Sequence, residues 1–243
     1  MNLDYLCQRK TNEIALHVPC YINELNPEIA KKTLLILRHF NLDLKVPKEQ
    51  TCCGQPFINS GHPTTLPNRF NEIFKNYDYV VSPSSSCVST IKSQTLEVSK
   101  KMFELCEFLH DVLKVKNIAK NYPKKIALHN SCHSLRHLFE GSPSELNIPY
   151  FNKIKEVLGC EIIEASRDEC CGFGGVFSLK EGFISYVMGR NKLDDLLNKN
   201  PDVITGVDFS CLMHLESIAK KDGDNIENKH ISEILWECLD ETL

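Results

Sequence analysis

The chain has 243 residues, with 28 basic and 32 acidic side chains and a net charge of −4. That length can bury a real core without disulfide staples, and the lack of a basic surplus argues against nucleic-acid binding. Its 12 cysteines are too few for a disulfide-packed miniprotein.

In chain order, Glu13 to Val18 is the first β-prone segment. Asn26-Pro27-Glu28 then signals a helix start, with an N-cap residue, proline in the first turn and an acid after it. Ile29, Leu34, Leu37 and Phe40 give that helix an apolar face. Leu42 to Val46 alternates like a strand and leads into a cysteine loop. Pro67 to Tyr77 reads as a helix with Phe70, Ile73, Phe74 and Tyr77 on one side; Tyr79-Val80-Val81 reads as a buried strand and Ser82 to Cys87 as a polar loop. A helical stretch follows around Cys106, with Met102, Phe103, Leu105 and Leu109. The rhythm then recurs. Lys125 to His129 is extended, Tyr150 to Leu158 helical, Glu161 to Ile163 extended, Leu179 to Leu197 helical and Val203 to Thr205 extended. Helices over Cys211 to Lys220 and Ile231 to Leu239 close the chain. Strands alternating with helices predict parallel α/β units. No apolar run approaches the roughly 18 residues of a membrane span, and Met1 to Glu13 lacks the apolar core of a secretory signal. The expectation is a cytoplasmic protein with reduced thiols, and peripheral membrane association is left open. Reduced cysteines in this number call for metal or redox chemistry.

The cysteines are arranged as a repeat. Ile14-Ala15-Leu16-His17 recurs as Ile126-Ala127-Leu128-His129, and each copy is followed by a cysteine, Cys20 or Cys132. Thr51-Cys52-Cys53-Gly54 recurs as Glu169-Cys170-Cys171-Gly172, and a single cysteine, Cys87 or Cys211, closes each set. The offset between copies is 112 residues at the histidines, 118 at the vicinal pairs and 124 at the closing cysteines, a drift that loop insertions in a duplicated domain would produce. The reading is a tandem duplication of a cysteine-rich α/β domain with mainly parallel sheets, over residues 14–118 and 119–243. Adjacent cysteines rarely close a good disulfide but can present two thiolates to one metal centre. In open parallel sheets ligands collect beyond the carboxyl ends of the strands, which is where the motif cysteines fall. The glycine after each pair lets the backbone bend around a bulky inorganic group.

Eight cysteines are therefore candidate ligands: Cys20, Cys52, Cys53 and Cys87 in the first half, and Cys132, Cys170, Cys171 and Cys211 in the second. Four thiolates are the complement of one 4Fe–4S cluster. Zinc is the competing metal, although its ribbons use short C-x2–4-C hairpins, and an apo protein cycling thiols to disulfides is a third reading. Cys106, Cys160 and Cys238 read as packing residues and Cys7 as an exposed thiol. His17 and His129 recur at matched strand ends and read as polar residues fixing the cysteine loops. His133 and His214 are candidates for orienting ligands, and Lys180 reads as a solvated lysine. Gly172 to Gly175 has the wrong spacing for dinucleotide binding.

This pattern resembles the cysteine-rich, or CCG, domain of iron–sulfur oxidoreductases, which include the heterodisulfide reductase B subunit, the glycolate oxidase iron–sulfur subunit and, with the fullest likeness, the lactate-utilization protein A family. The resemblance rests on Cys52-Cys53-Gly54-Gln55-Pro56, Asn59-Ser60-Gly61 and Val81-Ser82-Pro83-Ser84-x-Ser86-Cys87 in the first half. In the second it rests on Ser131-Cys132-His133, Cys170-Cys171-Gly172-Phe173-Gly174-Gly175-x-Phe177-Ser178 and Cys211-Leu212-Met213. It implies an electron-transfer subunit of a cytosolic complex that oxidises L-lactate, or a related 2-hydroxy acid, to the keto acid. Such an oxidoreductase subunit would act with sister subunits, at least one of them an iron–sulfur protein, and could be inactive alone. The fullest CCG motif ends in CxxC, whereas here Ser84 and Asp208 stand three residues before the closing cysteines. Each half thus offers four motif thiols rather than five, which counts against a non-cubane double cluster. Ser84 reads as turn chemistry and Asp208 as an ordinary loop carboxylate. A heterodisulfide-reductase-like catalyst and a structural zinc protein are the alternatives.

Overall fold

The structure is a computed structural model that describes residues 13–240; Cys7 lies outside the described residues. The repeated Ile-Ala-Leu segments become the central strands of two sheets. β1 (Ile14–Leu16), β2 (Leu44–Lys45), β3 (Tyr79–Ser82) and β4 (Met102–Glu104) form one sheet in the order β2-β1-β3-β4, parallel throughout. β5 (Ile126–Leu128), β6 (Ile162–Glu164), β7 (Val203–Gly206) and β8 (Glu227–His230) repeat it as β6-β5-β7-β8, again parallel. The chain is thus a tandem α/β duplication.

The strands sort their side chains with period two. Ile14, Leu16, Ile126 and Leu128 enter one large core common to both halves, whereas Ala15 and Ala127 turn to two outer cores. Strands covered on both faces need continuous apolar sequence, and both Ile-Ala-Leu runs are buried at every position.

The helices are α1 (Cys20–Leu25), α2 (Pro27–His39), α3 (Gln55–Asn59), α4 (Leu66–Phe74), α5 (Ser85–Lys92) and α6 (Leu105–Glu107) in the first half. The second half has α7 (Cys132–Arg136), α8 (Lys153–Leu158), α9 (Val176–Lys180), α10 (Gly182–Leu197), α11 (Phe209–Asp222) and α12 (Ile231–Asp240). α2 packs on α12 from the other half, and both feed the common core through Ile36, Leu37, Ile231, Ile234 and Leu235. α6 continues into a π-type turn, Phe108–Val112, and the two pack on α8. No helix among the described residues is long and apolar enough to cross a membrane.

Three expectations are corrected. Ser82 to Cys87 is not a loop: Ser84 caps α5, accepting a bond from the Cys87 N–H at 3.3 Å, and Ser85 to Cys87 are helical and buried. Met102 to Glu104, expected to be helical, is edge strand β4; its carboxyl-terminal residue, Glu104, caps α6 by accepting from the Cys106 and Glu107 N–H groups. The Leu179 to Leu197 helix is interrupted at Glu181, between α9 and α10. Cys106 is fully buried, and Cys160 and Cys238 pack partly buried against the common core.

Candidate metal centre

Each motif cysteine lies just past a strand. Cys20 opens α1 after β1, Cys52-Cys53 precede α3 after β2, and Cys87 sits in the first turn of α5 after β3. Cys132, Cys170-Cys171 and Cys211 hold the matching places after β5, β6 and β7. All eight are free thiols. The sulfurs of Cys20 and Cys52 are 3.6 Å apart. Gly54 and Gly172 take left-handed backbone, φ +89° and +85°, and each turns its N–H onto the first sulfur of its pair, Cys52 or Cys170, at 3.4 Å.

The thiols of each set contact one another in series, and this governs their ionisation. Hydrogen bonds from Cys20 and Cys53 hold the Cys52 thiol down to about 2; Cys132 and Cys171 do the same for Cys170, also about 2. Those neighbours pay in the opposite sense: contact with the ionised partner, together with burial, pushes Cys20, Cys53, Cys132 and Cys171 up. Within each set one thiolate therefore suppresses the next. A bound cation removes that conflict by letting its ligands ionise together. The donor sets fit a sulfur-ligated metal group.

The two sets face each other. One cavity of about 300 Å³ between the halves is lined by all eight cysteines, with Tyr21, Gln55, His133, Phe173, Asp208 and Met213 among the other walls. The repeat placed four thiols in each half, but the pattern could not show that both open on one space.

Asp208 is 2% exposed and is not an ordinary loop carboxylate. It accepts bonds from the Ser86 N–H (2.8 Å), Ser85 Oγ (3.0 Å) and Tyr21 Oη (3.2 Å), all in the first half, and from Ser210 Oγ (2.6 Å) in its own. Burial alone would raise its pKa, but these donors and the nearby His133 hold it below the usual carboxylate range. Ser85 Oγ also meets Ser131 Oγ at 2.8 Å, and Gln55 meets His133 at 3.3 Å across the same boundary. Sequence reasoning passed over Tyr21 and Ser85, and quoted Gln55 and Ser86 only as motif residues without a role. The run of serines before Cys87 was the one signal for Ser85.

The histidines divide. His133 Nδ1 lies 3.8 Å from the Cys132 sulfur, and His214 Nε2 lies 3.4 Å from Ser185 Oγ. His17, expected to fix a cysteine loop, instead meets Ser82 of β3 through Nδ1 at 3.0 Å, and its Nε2 has no hydrogen-bond partner. His129 is buried with no hydrogen-bond partner on either ring nitrogen, and it lies close to the sulfurs of Cys171 and Cys211. Burial holds both rings neutral, His17 at about 4 and His129 at about 3. Lys180 is exposed.

The cysteine-rich (CCG) domain matches this chain twice, over residues 14–92 and 126–216. A lactate utilization protein A from an Exiguobacterium species is 35% identical over 92% of this chain and 97% of its own length. The chain belongs to the lactate utilization protein A family of cysteine-rich-domain proteins. Another member, from Shouchella clausii, is 34% identical over 91% of this chain and 98% of its own. Among solved structures, a glutamate racemase from Bacillus anthracis aligns at a TM-score of 0.41 with 12% identity, covering 97% of this chain and 82% of that one.

Proposed function

We propose that the chain is an iron–sulfur electron-transfer subunit of a complex that oxidises L-lactate, or a related 2-hydroxy acid. The observation that carries this is the pair of four-thiol sets facing one cavity, in a chain whose relatives are named for lactate utilization. Cys20, Cys52, Cys53 and Cys87 would hold one cluster, and Cys132, Cys170, Cys171 and Cys211 the other. Two cysteine-rich units, residues 14–118 and 119–243, would each contribute one set. When bound, a 4Fe–4S cluster accepts and releases single electrons.

The chain's own groups prepare that role. The Gly54 and Gly172 N–H groups donate to Cys52 and Cys170 and offset thiolate charge. Asp208 and the buried serines lock the two halves, so the sets keep a fixed separation. Carbon chemistry would belong to a sister subunit, in the cytoplasm or at a membrane surface. The shared cavity also suits a second reading, in which both centres act on a disulfide held between them, as in a heterodisulfide-reductase-like catalyst.

Anaerobic purification followed by iron, acid-labile sulfide and zinc analysis tests the metal. Two clusters require about eight irons per chain with equal sulfide; one zinc per set, without iron or visible absorption, would favour a structural zinc protein and sink the proposal. Deletion should abolish growth on L-lactate, and normal growth without a redundant lactate oxidase would argue against the substrate. Turnover of a disulfide by the isolated chain would move the assignment to the second reading.

A further inference from the structure

The two halves match in register, so residues at the strand ends can be compared one for one. β1 pairs β3 through Leu16 and Val81, and β5 pairs β7 through Leu128 and Thr205. One residue further on, the His17 N–H donates to the Val81 carbonyl and the His129 N–H to the Thr205 carbonyl, both at 2.8 Å. The residues that follow on the neighbouring strands are Ser82 and Gly206.

At this point the halves differ. Ser82 Oγ sits 3.0 Å from His17 Nδ1, which leaves only Nε2 without a partner, and the ring packs edge-on to Phe70 and Phe74 with centroids 4.8 and 5.9 Å away. Gly206 has no side chain to offer His129. A Cβ there would come within 2.8 Å of the His129 carbonyl oxygen, so the position must stay bare. His129 is 1% exposed, and neither ring nitrogen has a partner. A neutral imidazole still carries one N–H, and a buried donor without an acceptor is costly. The sulfurs of Cys171 and Cys211 lie within 4.8 Å of a ring nitrogen. Lys192 of α10, itself 2% exposed, has Nζ 2.5 Å from the Arg167 carbonyl, and its charge is felt by both His129 and Cys171.

We propose that His129, backed by Lys192, tunes the redox group held by the second set of cysteines, and that His17, with one ring nitrogen already held by Ser82, does not match it in the first. The inference rests on the reading of the thiol sets as cluster ligands. His129 supplies its N–H to a sulfur of Cys171 or Cys211, and the Lys192 ammonium adds a fixed positive field. Both favour the reduced, more negative state of a thiolate-bound cluster and so raise its potential. His129 acts through the ligands and is a positioning residue. The two centres are thereby made different, although their ligand patterns are the same.

The test is a redox titration of the anaerobically prepared, cluster-loaded chain, followed by electron paramagnetic resonance. His129→Leu should lower the midpoint of one centre only, cutting its reduced-to-oxidised ratio at a fixed potential about tenfold, the size expected for one hydrogen bond to a charged group. His129→Gln, which keeps an N–H, should restore part of the shift, and Lys192→Met should lower the same midpoint while leaving the other. These two variants carry the same readout should the leucine variant fail to load. Unchanged midpoints, or equal shifts in both centres, with iron and sulfide intact, would overturn the role of His129 alone. Wild-type protein without iron or sulfide overturns the cluster reading, and this inference with it.

Discussion

Asp208 shows how much one side chain can carry between the halves. Its oxygens accept from four donors, three of them across the boundary, and Ser86, which donates its backbone N–H, is the second residue of α5. A carboxylate at a helix N-terminus answers both the unpaired N–H groups and the positive end of the dipole. The helix so capped carries Cys87, and the helix that follows Asp208 carries Cys211. Asp208→Ala should lower unfolding stability by about 3 kcal/mol, since it strips a buried charged acceptor from several donors at once. Asp208→Asn keeps the shape but loses the charge and turns donors toward donors, so about half that loss is expected. Urea midpoints measure both, with the m-value unchanged if only the native state is affected. An alanine variant within experimental error of wild type would remove Asp208 from this role.

At the scale of elements, the cysteine loops depend on close backbone contact. Gly172 has φ +85°, and a Cβ there would stand 2.6 Å from the Ser185 carbonyl and 2.8 Å from Met188 Cβ, both on α10. Ser185 Oγ also donates to the Gly172 carbonyl at 2.8 Å, so loop and helix are clasped. Gly175 also has positive φ, +61°, but nothing lies within 4 Å of its missing Cβ. Gly172→Ala should therefore displace α10, cost several kcal/mol and reduce metal loading of the second set. Gly175→Ala should cost only the backbone strain of its φ +61°, ψ −107° conformation, about 1–3 kcal/mol. Thermal unfolding with metal analysis separates the two, and equal losses would mean that the contact with α10 is unimportant. What the sequence showed and hid follows the same logic. β1, β5 and both vicinal pairs were legible because doubly covered parallel strands are short apolar runs and the repeat is written in cysteine. β8 was missed because Glu227 to His230 is a polar edge strand with no apolar alternation. β4 was missed because Met102, Phe103, Leu105 and Leu109 have helical spacing, yet the chain passes from strand straight into helix at Glu104. The serines of α5 read as a polar loop because the carboxylate that accepts from Ser85 and Ser86 comes from the other half, and no local pattern records that.

For the whole molecule, the boundary between halves holds a second polar device, built from carboxyls rather than thiols. Glu104 ends β4 in the first half and Glu140 follows α7 in the second; both are fully buried. Glu104 Oε2 accepts from the Cys106 and Glu107 N–H groups at 2.5 and 3.3 Å, while Glu104 Oε1 and both Glu140 oxygens meet no protein donor. Two carboxyls so placed are stable only if they hold a proton between them. Burial, and then the charge of Glu140, pushes Glu104 well above the usual carboxylate range. Burial pushes Glu140 up to about 7, against the opposing pull of Glu104 and Lys153 and with a further push from Glu107. The native state thus binds more protons than the unfolded chain between the ordinary glutamate value and about 7. Stability must then fall as pH rises through that window, and because Glu104 is pushed well above its ordinary value the fall is not complete when Glu140 ionises. From pH 5 to pH 8 Glu140 alone implies a loss of about 2 kcal/mol, from about 1.4 kcal/mol per pH unit of displacement, and Glu104 adds to it in the same direction. Glu140→Gln keeps the shape and supplies a permanent donor, so it should flatten the profile and leave the protein more stable than wild type at pH 8. Urea unfolding of both proteins at pH 5, 6.5 and 8 measures the slope directly, and parallel profiles would show that the pair takes up no proton on folding. Because one carboxyl comes from each half, the same pH rise should loosen the boundary that holds the two thiol sets face to face.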